Sequence, residues 1–123
     1  MSGSSEGGAE RRSIDQLIAS FAEHEPPFSS LGTPFLVDTE ETEALVRKGE
    51  AAVPALETAL EDDDPSIVMY AAYCLGFIGD RSALPALRRT RARHEARAPM
   101  QAEDYAVISA ISQAEERLYG TRP

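Results

Sequence analysis

Two histidines, one cysteine and a run of three aspartates are the residues in this chain best suited to act on a ligand. His24 and His94 are each followed by a glutamate, Glu25 and Glu95. With a single cysteine and two histidines in 123 residues, a metal site would need ligands converging from distant segments. Cys74 as a nucleophile would need a base and an orienting group in reach. It falls instead between Ala71 and Ile78, on the apolar side of a helical pattern, where a thiol acts as a small hydrophobe. Gly76-Phe77-Ile78-Gly79 ends a helix and does not follow a strand, so it is no phosphate loop. Asp62-Asp63-Asp64 lacks the spacing and closing glutamate of a calcium loop. It reads as a helix stop and a cap for the next helix. The residues therefore offer no catalytic, cofactor or metal site.

The elements that hold these residues are helices with regular punctuation. Ser13, with Gln16 three residues on, caps a helix over 13–23 whose apolar face is Ile14, Leu17, Ile18 and Phe21. Pro26-Pro27 ends it. Residues 26–38 hold prolines and a glycine, but also Phe28, Leu31, Phe35, Leu36 and Val37. That is too apolar for a free linker and predicts an extended arm lying on the fold. Helices follow over 40–48 (capped by Thr39, stopped at Gly49), 51–61, 66–78 (stopped at Gly79), 82–94 and 102–118. No segment sustains a period of two, so the fold class is all-α.

Self-similarity is the strongest signal. Val53-Pro54-Ala55-Leu56 recurs 31 residues later as Leu84-Pro85-Ala86-Leu87. Leu45 to Glu50 recurs at an offset of 30 as Leu75 to Asp80. Ala71 to Leu75 matches Val107 to Ile111 at an offset of 36, the extra residues falling after His94. The unit is a helix–turn–helix of about 30 residues with proline in the first turn of each first helix. The run Pro54-Ala55-Leu56 … Asp64-Pro65 … Ala71-Ala72-Tyr73-Cys74-Leu75-Gly76-Phe77-Ile78-Gly79-Asp80 … Leu84-Pro85-Ala86-Leu87 resembles a HEAT repeat of the short bacterial kind, found also in phycobilin lyases. The likeness is dense over 44–88 and looser over 102–118, and it does not reach 1–37. It implies a short α-solenoid of about two and a half repeats, with an N-terminal helix and arm as cap. It also implies a protein-binding scaffold without catalytic activity. HEAT-repeat hydroxylases bind iron through His-Glu pairs within second helices; His24-Glu25 and His94-Glu95 fall elsewhere, so that role does not carry over.

One feature departs from the repeat. Second helices of such repeats expose polar residues on the concave face. Here Met69, Tyr73 and Phe77 recur every four residues, with Tyr70 beside them and Tyr105 extending the patch on the last helix. Three readings compete: residues 13–37 cover the stripe as core, a partner protein docks there, or two copies pair through it. Gly76 is expected to allow close helix packing.

The charge sum of −9 argues against a dedicated nucleic-acid binder. Residues 38–64 carry ten acids against Arg47 and Lys48, a net of −8; residues 81–97 carry six arginines against Glu95, a net of +5. Both are read as solvated outer faces, or else as electrostatic docking sites. At 42% hydrophobic and 27% charged residues, wholesale disorder is excluded. With no apolar run of transmembrane length and no apolar leader, the expectation is a cytoplasmic protein away from membranes. The expected organisation is a disordered 1–12, a helix and apolar arm over 13–38, and a repeat domain over 39–120. The expected function is an adaptor that binds another protein through Met69, Tyr70, Tyr73, Phe77 and Tyr105. The alternatives are a phycobilin-lyase-like enzyme or enzyme accessory, which the resemblance would also allow, and a structural homodimer.

Overall fold

The computed structural model describes residue 9, residues 11–23 and residues 25–120. The disorder expected over residues 1–12 lies largely outside these, as does His24. Among the described residues Ala9 is buried in the core and Arg12 pairs with Glu41 at 3.2 Å, so contacts begin ahead of residue 13.

The helices are α1 (Ile14–Ser20), α2 (Glu40–Lys48), α3 (Val53–Ala59), α4 (Pro65–Ile78), α5 (Leu84–Glu95) and α6 (Ala102–Gly120). Their ends follow local chemistry. Ser13 and Gln16 form a reciprocal capping box on α1, and Thr39 and Thr42 form one on α2. Asp64 caps α4 by accepting the Ser66 N–H at 2.8 Å, and Gly79 (φ 83°) closes it in the left-handed region. The expected helix 51–61 is shorter. A 3₁₀ segment, Gly49–Ala52, leads into Val53–Ala59, and another, Arg81–Ala83, precedes α5. In both cases Pro54 or Pro85 sits in the first turn of the α-helix that follows.

α3 pairs with α4 and α5 with α6, and the two pairs stack chiefly through α4 on α6. Gly76 is what lets those axes approach: a Cβ there would lie 3.1 Å from the Ala114 Cα. At the other end α2 packs on α4, while α1 packs on α2, α3 and α4. α1 thus stands where the partner of α2 belongs and closes the half repeat. Leu17 on α1 and Phe21 in the 3₁₀ turn that follows it (Phe21–Glu23) reach the core, each fully buried.

The arm between α1 and α2 is extended, with one isolated bridge between Phe28 and Pro34. It turns at Gly32 (φ 84°), whose missing side chain matters: a Cβ would meet the Ala102 carbonyl oxygen at 2.8 Å and Tyr105 Cβ at 2.9 Å. The arm therefore reaches from α1 to the start of α6 and returns to α2 across α4.

Candidate interaction surface

The stripe on α4 becomes an aromatic ladder that climbs from core to surface. Phe21 from the end of α1 stacks on Tyr70, with ring centroids 4.8 Å apart and planes 15° apart. Tyr70 meets Tyr73 edge-on at 6.2 Å, and Tyr73 meets Phe77 at 4.9 Å. Exposure rises along it: Phe21 is 0% exposed, Tyr70 4% and Phe77 46%, with Tyr73 half-buried between them.

The five residues expected to bind together thus have different environments. Met69 is fully buried and Tyr70 nearly so, which removes both from any exposed surface. For Tyr70 the cause is Phe21 and the Val37 backbone of the arm, the cover that one competing reading required. Met69, seven residues before Gly76, lies on the side of α4 that meets α6. Tyr73 and Phe77 extend past that cover. Tyr105 is exposed but stands apart, beside the Gly32 turn. It precedes Ala114, the residue that meets Gly76, by nine positions, about 13 Å along α6.

Tyr73 is held rather than free. Its hydroxyl donates to Asp38 Oδ1 at 2.6 Å. Burial, then the hydrogen bond and negative charge of Asp38, push its pKa up to about 12. Burial also raises Tyr70, against an opposing hydrogen bond with the Val37 backbone. The Arg117 guanidinium lies 4.2 Å from the centre of the Phe77 ring, a cation–π contact, and the ring is still nearly half exposed. Beside that ring is a cleft of about 280 Å³ lined by Asp38, Thr42, Glu43, Val46, Arg47 and Phe77.

Sequence reasoning missed the α2 wall of this cleft, and it missed the outer side of the arm. Phe35 (58%) and Val37 (57%) point outward while Leu36 between them packs on the core, and Leu31 at the turn is 85% exposed. The out–in–out alternation over 35–37 was the available signal. Val37 and Phe35 run back from Asp38 along the arm, whereas Leu31 sits at the Gly32 turn on the Tyr105 side.

The residues singled out for chemistry have structural roles. Cys74 is fully buried, and burial, aided by the Asp38 charge, pushes its thiol up to about 12, far from a reactive thiolate. His94 Nδ1 pairs with buried Asp104 at 2.8 Å. The same carboxylate accepts from Arg97 at 3.0 Å and from the Gln101 N–H at 2.8 Å, closing the start of α6. No group of three or more His, Cys, Asp or Glu among the described residues is placed to hold a metal ion.

The arginines of α5 are largely used within the fold. Arg88 bonds and stacks on Tyr119, Arg91 pairs with Glu115, and Arg93 donates to the Leu60 carbonyl at 2.9 Å. Arg97 bridges Glu103 and Asp104. Four of the six arginines over 81–97 thus brace the fold, while Arg81 and Arg89 are exposed. No helix among the described residues is long and apolar enough to cross a membrane.

Comparison with curated proteins and with solved structures gives no match. The sequence profile described as HEAT repeats, however, matches residues 42–111, more than half of the chain. That span runs from the α2 wall of the cleft through both stacked helix pairs to the middle of α6, and it confirms the repeat read from the offsets of 30, 31 and 36 residues. Stacked helix pairs, a first-turn proline in each first helix and the matching profile agree: the chain belongs to the HEAT repeat family.

Proposed function

We propose that this chain is a non-enzymatic adaptor that docks another protein on the uncovered end of its second-helix face. The supporting observation is Phe77, nearly half exposed on a helix otherwise buried almost all round, beside the cleft walled by Val46 and Glu43. HEAT repeats generally mediate protein–protein interaction, and the family is typically non-catalytic. Burying the exposed half of one phenylalanine contributes only about 1 kcal/mol. A micromolar contact needs about 8 kcal/mol. The surface must therefore include more than the ring. Tyr73 and Val46 flank it, and Val37 and Phe35 extend it along the arm. Phe77 is the anchor and these residues surround it. Tyr70 supports the surface from below through Tyr73, Met69 belongs to the core, and Tyr105 lies outside the surface. The setting we assign to this adaptor is the cytoplasm.

A photoreactive amino acid at Val46 tests the reading in the cells of origin, with the exposed Glu95 at the end of α5 as the control position. The expected result is a discrete adduct from position 46, absent from position 95 and lost when Phe77→Glu is added to a protein whose circular dichroism is unchanged. Adducts that survive Phe77→Glu in the folded protein overturn it.

A further inference from the structure

A second groove lies at the opposite end of α4, between α1, α3 and the α3–α4 turn. Its volume is about 450 Å³. Ile67 in its floor is ten residues from Phe77, about 15 Å along the helix, so this groove is separate from the cleft on α2. The floor is apolar, from Ile18, Ala59 and Ile67; the rim carries the carboxylates of Asp15, Glu61 and Asp62. No lysine, arginine or histidine lines it among the described residues. Asp62 spends one oxygen on the Asp64 N–H at 2.8 Å, while Asp15 and Glu61 have no partner among the described residues.

We propose that this groove docks a basic amphipathic segment of another protein, with leucine-sized side chains on the floor and lysine or arginine at the rim. Charge complementarity carries the assignment. An apolar floor and an anionic rim that no cation among the described residues compensates together select a ligand that is apolar on one side and cationic beside it. The carboxylates come from two separate segments and form no metal cluster, so they suit spaced cations and not one ion. A second copy fits poorly. Of its basic residues, Arg88, Arg91 and Arg93 on α5 and Arg97 just beyond that helix are engaged internally. Arg89 is exposed on α5, but the exposed large hydrophobics are Leu31, Phe35, Val37, Phe77, Tyr105 and Tyr119, none of them on α5 to fill the floor beside it. Each exposed ion pair is weak and screened by salt, so the floor contact is what makes binding selective.

The test uses the full chain and a fluorescent 14-residue leucine/lysine peptide patterned as an amphipathic helix, followed by anisotropy. A serine/lysine peptide of equal charge is the probe for charge alone. Two triple variants of equal net charge are compared: Asp15→Asn with Glu61→Gln and Asp62→Asn at the rim, and Glu40→Gln with Glu50→Gln and Glu116→Gln elsewhere. Ala55→Lys, which fills the groove from α3, gives an independent block. The expected result is saturable binding of the leucine/lysine peptide, at least tenfold weaker for the rim variant, for Ala55→Lys and for the serine/lysine peptide. The distant variant changes it less than threefold. Equal losses in the two triple variants, or no saturable binding at low salt, overturn the proposal. So does self-association of the chain alone that disappears in the rim variant, which would give the groove to a second copy.

Discussion

Asp104 shows how far a single residue's role depends on its neighbours. Burial pushes its carboxyl up, but the Gln101 N–H, His94 and Arg97 outweigh that and hold it below the ordinary carboxylate range. A lowered folded-state pKa has a definite sign in linkage. The stabilisation is complete above the ordinary value near ~3.9 and is lost as pH falls through the lowered one. Asp104→Asn is expected to cost about 2 kcal/mol at pH 7, since it weakens bonds to a buried charge. Urea midpoints of the two proteins should converge below about pH 4. A gap that stays constant down to pH 2 would show that the carboxylate's charge is not the source. None of this was legible in the sequence. His94-Glu95 drew attention for its glutamate, whereas the actual partner is ten residues away across a loop.

At the scale of elements, the arm is the piece that decides the surface. It covers Tyr70, braces Tyr73 through Asp38, and presents Phe35 and Val37 outward. Its course depends on one close approach, Gly32 against Ala102 and Tyr105. Gly32→Ala adds a methyl against a backbone oxygen at a positive φ, and should cost roughly 2 kcal/mol. The lowered thermal midpoint should appear for Gly32→Ala and not for Ser30→Ala at the exposed neighbour. Equal midpoints for all three proteins would mean the turn bears no load. The repeat helices, by contrast, were readable nearly to the residue. Their caps and stops act within four residues: Thr39 on Thr42, Asp64 on Ser66, Gly79 on the end of α4. The 3₁₀ starts of the first helices were not, because a leading 3₁₀ turn and the α-helix it enters share one apolar spacing.

For the whole molecule, each repeat buries its faces only on its neighbours, so a solenoid this short needs both ends closed. α6 closes one end, with the α5 arginines tied to it. α1 and the arm close the other. The full chain should therefore run as a 13.3 kDa monomer in light scattering. A 38–123 fragment loses Phe21 from Tyr70 and Leu17 from the core, and should aggregate. A folded, monomeric fragment would show instead that residues 1–37 are no cap, and the ladder would then be open along its length.

The sequence by itself determined the helices, the repeat and the HEAT family, because caps, prolines and periodicity act over a few residues and recur at a fixed offset. It also marked Tyr73 and Phe77 as out of place on a face that is polar in other repeats. Only the tertiary structure decided which half of that stripe stays open, and that Met69 and Tyr70 belong to the core while Tyr105 stands apart. That choice depends on where an irregular arm lies. Its position is set by a glycine meeting a helix some 70 residues later in the chain, and no local pattern encodes such a contact.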